Sequence, residues 1–203
     1  MRLNPKPKTL MADETDGRRR RTVESRARIV AAMLQLVHDG DVTPSAEMVA
    51  TRAGIGLRSL FRHFKDMGSL YQEMSAVIEA ELAMIIDHPI TANLQSQRLA
   101  QIVERRAAAF EKMFPYKRAG DLPRHRSAFL DAGHARLNAR ARAILLEELP
   151  AEAVTDDLLF EAVDMLLSWE TWSRLRRNQG LSPQQAQDVL GATLHRLMAG
   201  LPK

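Results

Sequence analysis

Apolar residues recur at spacings of three and four along most of the chain, and each run is closed by a glycine or a proline. Ile29, Val30, Met33, Leu34 and Val37 form one such run, stopped at Gly40; Leu70, Met74, Val77, Ile78, Leu82, Ile85 and Ile86 form another, stopped at His88-Pro89. This period gathers apolar side chains on one face of an α-helix, whereas a half-buried strand needs strict alternation. Composition agrees, because Ala, Leu, Met, Arg and Glu outnumber the β-branched and aromatic residues that strands favour. The expected fold class is therefore all-α, with about nine helices.

The same signals divide the chain. Residues 1–21 carry two prolines and mixed charge without helical period, which predicts a disordered basic arm ending in Arg18–Arg21. A first helix is expected from Thr22, a second from Pro44 or Ser45 to Ala53 with Gly54 as its stop, and a third from Leu57 to Phe64. Residues 22–66 would then form one three-helix domain. Residues 67–203 would form a second helical domain, with helices from Met67 to about Asp87, from Leu94 to Phe114, from Pro123 to Leu149, from Thr155 to Asn178 and from Pro183 to Met198. Pro115 and Pro150 are read as helix ends, and residues 116–121 as a loop or single turn. Ser182-Pro183-Gln184-Gln185 has the spacing of a capping box with proline at the first helical position.

Charge is distributed unevenly. The chain carries 29 Lys and Arg against 25 Asp and Glu; up to Ser75 there are 13 against 9, leaving 16 of each beyond it. A basic head on a neutral body suits a polyanion-binding module, since cationic side chains displace the counterions of nucleic acid. A merely solvated basic stretch would show the same count. There is no cysteine, so thiolate metal sites and disulfides are excluded. No run approaches the ~18 apolar residues of a membrane span, and the N-terminal residues lack the apolar core of a signal peptide. A cytoplasmic protein is expected.

The most informative stretch is Thr43–Leu70, TPSAEMVATRAGIGLRSLFRHFKDMGSL. Two helices that meet at a steep angle need a small residue where they approach, a residue tolerant of positive φ at the turn, and apolar residues to pin the second helix. Ala50, Gly54, and then Ile55 with Leu60 meet those needs in order. A helix-turn-helix is the physical reading, with the second helix offered to the major groove of a DNA duplex. The run Ala53-Gly54-Ile55-Gly56-Leu57-Arg58-Ser59-Leu60-Phe61-Arg62-His63-Phe64, followed by Leu70 in a new helix, resembles the signature of TetR-family transcriptional regulators. The resemblance covers about Thr22 to Met74 as sequence pattern, and the helical layout alone beyond it.

That resemblance implies roles for individual positions. Ser45 matches the hydroxyl residue that opens the family's second helix and meets a phosphate. Leu57, Arg58 and Ser59 fall on groove-facing positions, where Arg58 can fork onto guanine. Arg62 and His63 match positions beside the DNA backbone, which orient the protein without specifying bases. Phe61 stands where the family usually has Tyr, so a phosphate-reaching hydroxyl is absent. Met67 replaces a usual Lys, and either Lys65 or the free N–H groups of the fourth helix would take over its phosphate. Without the surrounding motif, Arg58 and Arg62 would read as a solvated face, and Phe61 and Phe64 as core.

The resemblance further implies a homodimer made by the last two helices, for which Leu166, Trp172, Leu190, Leu194 and Leu197 are candidate interface residues; a single intramolecular core would use the same residues. An effector pocket would lie among the middle helices, with Phe110, Met113, Phe114, Phe129, Met165 and Trp169 as candidate lining, or equally as core. Arg118, Arg124, His125 and Arg126 would favour an anionic ligand there. The six histidines are scattered, and no metal-ligand spacing, phosphate loop or nucleophile motif is present, so neither an enzyme nor a cofactor is expected. The expected function is a ligand-responsive repressor binding a palindromic operator. The competing reading is a helical protein whose basic head binds RNA or anionic membrane without sequence preference.

Overall fold

A computed structural model describes the backbone of residues 9–200 apart from 42 and 125–127, and the side chains of 17 and 19–200 apart from 42, 118–134 and 137. Among the described residues all regular structure is helical: α1 (Thr9–His38), α2 (Ala46–Ala53), α3 (Leu57–His63), α4 (Met67–Ile86), α5 (Gln95–Arg124), α6 (Ala128–Glu148), α7 (Ala151–Thr155), α8 (Asp157–Leu166), α9 (Trp169–Ser173) and α10 (Pro183–Met198). The chain divides into two compact units, Met1–Ser75 and Ala76–Lys203.

In the first unit α1 lies against α2 and α3. Ile29, Val30, Met33, Leu36 and Val37 of α1 are buried together with Val49, Ala50 and Ala53 of α2 and with Leu60 and Phe64. A helix as short as α3 is unstable alone. Burial of Leu60 and Phe64, about 1.5–3 kcal/mol each, supplies what its length lacks. The turn before it depends on Gly54, whose φ of 65° and ψ of 38° lie in the left-handed region. There the N–H of Ile55 closes onto the carbonyl of Ala50 at 3.0 Å. A Cβ at Gly54 would meet no atom within 4 Å, so the turn requires glycine for its conformation and not for space.

Helix α1 begins at Thr9 and not at Thr22. Arg19–Arg21 therefore ride on a helix, where Arg20 pairs with Glu24 one turn on at 2.9 Å. The reason is local: oppositely charged residues one turn apart, as in this pair, support a helix even without an apolar face.

Besides the short unexpected helix α7, the second unit departs from expectation at two places. Pro115 does not end α5, which continues to Arg124. An interior proline costs about 3 kcal/mol. Packing on both sides of it opposes that cost, since Phe110 and Phe114 meet the Trp169 ring with centroids 6.1 and 5.7 Å away, and Lys117 lies 5.7 Å over the same ring. The second departure is that the single helix expected from Thr155 to Asn178 is three elements. Asp156 caps α8, accepting from the Leu159 N–H at 3.0 Å. Ser168 caps α9, accepting from the Thr171 N–H at 3.2 Å while donating to the Met165 carbonyl at 2.7 Å. Hydroxyl and carboxylate side chains that satisfy nearby backbone groups compete with helix continuation, which is why the breaks fall at these residues. After α9 the chain widens into a π-helical turn, Arg174–Asn178. Helix α10 opens on the expected capping box, Ser182 with Gln185, and packs on α5 and α8.

Candidate nucleic-acid interface and internal cavity

Helix α3 turns Leu60 and Phe64 inward, and this dictates what faces out. Leu57 is 38% and Phe61 45% exposed, and Arg58 and Arg62 are exposed beside them. Phe61 thus falls outside the core, a correction to the packing role, because it sits about 100° round the helix from Leu60. Ser59 and His63 are half-buried and Lys65 is exposed. The outer edge of α3 carries two guanidinium groups and two apolar side chains, a surface able to meet both base edges and phosphates.

The flank nearest this edge is also cationic. Arg21, Thr22 and Ser25 of α1 and Arg62 and His63 of α3 line an open recess of about 280 Å³. Burial, then the neighbouring Arg62, Arg26 and Arg28, holds the His63 imidazolium below its usual pKa. His63 therefore faces the recess as a neutral donor or acceptor, while the arginines supply the charge.

Two acids temper the helix ends. Ser45 caps α2, its hydroxyl accepting from the Met48 N–H at 3.3 Å. The exposed Glu47 carboxylate is held below its usual pKa by a backbone N–H and then by the Ser45 hydroxyl. A negative charge thus already occupies the end of α2 expected to meet a phosphate. At α4 the carboxylate of Asp66 accepts from the Ser69 N–H at 2.7 Å. The start of α4 is capped by its own acid, which leaves exposed Lys65 as the cation of that corner.

Arg26 was not among the expected site residues. Its guanidinium donates to Glu73 and to the His63 carbonyl and lies 4.3 Å over the Phe64 ring. One side chain of α1 therefore ties down the end of α3 and the start of α4. The available signal was its place three residues before Ile29 on the apolar stripe, where a charge needs partners.

In the second unit a cavity of about 410 Å³ is lined by Phe110, Met113, Met165 and Trp169 together with Ile86, Arg106, Ala141, Ile144 and Asp164, among others. Phe114 is not part of its wall; it packs behind, on Trp169. The Phe129 side chain, with those of Arg118, Arg124, His125 and Arg126, lies outside the described residues.

The candidate interface residues separate. Trp172, Leu190 and Leu194 are fully buried within one chain, each 0% exposed, so they have no surface left for a partner. The cause is the packing of α10 on α5 and of Trp172 on Phe110, with the indole N–H donating to Glu111 at 2.9 Å. Leu166 and Leu197 are half-buried. Apolar surface on these helices belongs instead to Leu158 at 85%, Met165 at 68% and Val189 at 40% exposure.

No family model and no curated protein matches the chain. Solved structures do. A tetR-family transcriptional regulator from Streptomyces coelicolor superposes with a TM-score of 0.67 at 20% identity, over 87% of this chain and 81% of that one. The multidrug binding protein EbrR, complexed with imidazole, gives 0.58 at 17% identity over 88% and 95%. A TetR-like transcriptional regulator from a Rhodococcus species gives 0.57 at 14% identity over 87% and 96%. Similarity of this kind establishes that the chain has the all-helical fold of TetR-type regulators.

Proposed function

We propose that this chain is a sequence-specific DNA-binding transcriptional regulator, acting in the cytoplasm as a homodimer on a palindromic operator and released by a small-molecule effector, with no catalytic activity of its own. The observation that carries the reading is the outer edge of α3: Leu57, Arg58, Phe61 and Arg62 project outward from a helix whose opposite side is anchored by Leu60 and Phe64. Ser45, Ser59, His63 and Lys65 flank that edge and would position it on phosphates and sugars. A single helix of this length reads few base pairs, so usable affinity requires two copies on half-sites about 34–36 Å apart.

Exposed Leu158, Met165 and Val189 support a symmetric pairing through α8 and α10, since solvent-facing apolar residues at helical spacing are stabilised by burial against a second copy. The cavity supports an effector: a ligand that prefers one conformation shifts the population away from the state in which both reading heads enter successive grooves. The test is selection of bound fragments from random duplex DNA by the purified full-length protein. Enrichment of a two-fold symmetric site is expected. Equal retention of all duplexes, or of RNA and anionic vesicles as readily, would replace this reading with that of a general polyanion binder.

A further inference from the structure

Arg106 is the buried charged residue among the described residues, 9% exposed, in the wall of the α5–α6–α8 cavity. Its surroundings are sparse for a guanidinium with five N–H donors: it donates to the Ala141 carbonyl at 2.6 Å, and among the described residues no carboxylate lies within ion-pair distance. The carboxylates whose field reaches it, Glu148 and Asp164, are each committed to another arginine. Glu148 is paired with Arg105, which also donates to the His88 carbonyl at 2.9 Å, and Asp164 is paired with Arg142 at 2.8 Å. The remaining charged wall residues, Lys117 and Glu170, are of opposite sign. Among the described residues the Arg106 charge is thus left without an ion-pair partner, in a wall that also carries the apolar side chains of Phe110, Met113 and Trp169. Burial, reinforced by the adjacent Arg105, pulls the Arg106 pKa below its usual value against the opposing pull of Glu148 and Asp164.

We propose that the cavity binds an amphipathic monoanion, a carboxylate with an alkyl or aryl body, whose carboxylate pairs with Arg106 while its body lies against Phe110, Met113 and Trp169. A buried charge is costly until a partner of opposite sign arrives, and a planar carboxylate matches the guanidinium fork. The volume of about 410 Å³ is within the range that holds such small molecules. This deepens the ligand response proposed above and rests on the cavity being its site.

Trp169 lies in the cavity wall and Trp172 behind it, so intrinsic fluorescence of the full-length protein reports occupancy. Two series serve as probes: octanoate, octan-1-ol and octylammonium, and 4-phenylbutyrate with its alcohol and ammonium counterparts. In at least one series the carboxylate should bind at least about tenfold more tightly than both counterparts, an effect expected of a charged hydrogen-bonded pair. Arg106→Met should abolish that preference without weakening the alcohol, and Arg106→Lys should retain part of it. If Arg106→Met fails to fold, the wild-type preference and the Arg106→Lys variant still decide. Absence of saturable binding by both carboxylates, or equal binding of alcohol or ammonium in both series, overturns the proposal. Operator binding measured in parallel separates the two readings: a protein that selects an operator but ignores these anions loses only this inference, and one that binds the anions but selects no DNA loses only the regulator reading.

Discussion

Arg26 and Glu73 form an ion pair that joins α1 to α4, and the same guanidinium caps the last carbonyl of α3. The contact explains how α3, seven residues long, keeps a fixed angle: its C-terminal end is held by a hydrogen bond and by stacking on Phe64, not by its own backbone.

Arg26→Ala should therefore destabilise the protein by about 1–2 kcal/mol, with the pair's half-exposed position keeping the loss modest. Urea denaturation measures it. Specific DNA affinity should fall by more than the change in folded fraction, because α3 loses its brace; equal losses of fold and binding would show that Arg26 only stabilises.

Arg58 and Arg62 should respond differently although both are exposed on the same helix. Arg58→Ala is expected to relax base preference at one position in each half-site, at a cost of about 1–3 kcal/mol on the preferred duplex. Arg62→Ala should weaken all duplexes alike and reduce the salt-dependence slope by about 1. Binding to a panel of single-base operator variants at several salt concentrations distinguishes the two, and an unchanged preferred sequence in Arg58→Ala would remove that residue from base reading.

Glu47 places a carboxylate on the same end of α2 as Ser45. Removing the charge with Glu47→Gln should raise affinity severalfold for every sequence, and the gain should fade as salt is added. Ser45→Ala should do the opposite, losing the proposed phosphate contact together with a helix cap worth about 1 kcal/mol. Fluorescence anisotropy on specific and random duplexes reads both.

Leu158 and Val189 face solvent in one chain, so Leu158→Glu with Val189→Glu should leave the helical content and the monomer core intact. Sedimentation equilibrium at micromolar concentration should show the wild type as a dimer and the double variant as a monomer, with loss of operator binding. A wild-type protein that sediments as a monomer would remove the pairing face from the proposed mechanism.

Most of the helices were legible because their causes are short-range. The stripe of Ile29, Val30, Met33 and Val37, the positive φ of Gly54 and the box of Ser182 with Gln185 each depend on residues within one or two turns, so period and cap chemistry are enough to find them. The exposure of Arg58 and Arg62 on α3 was legible for the same reason, whereas Phe61, read as core beside Leu60 and Phe64, is exposed. Elsewhere partners distant in sequence decide. Pro115 reads as a stop until Trp169 packs against both of its flanks, and Trp172, Leu190 and Leu194 read as interface until α10 packs on α5. Arg26 and Arg106 are ordinary cations in the linear chain. What distinguishes them is burial and the identity of neighbours far along it: Glu73 completes the first, while for the second, among the described residues, Glu148 and Asp164 are engaged by other arginines. Local periodicity determines which face of a helix is apolar; only the assembled chain determines which charges find partners there, because Coulomb energy and desolvation depend on distance in space.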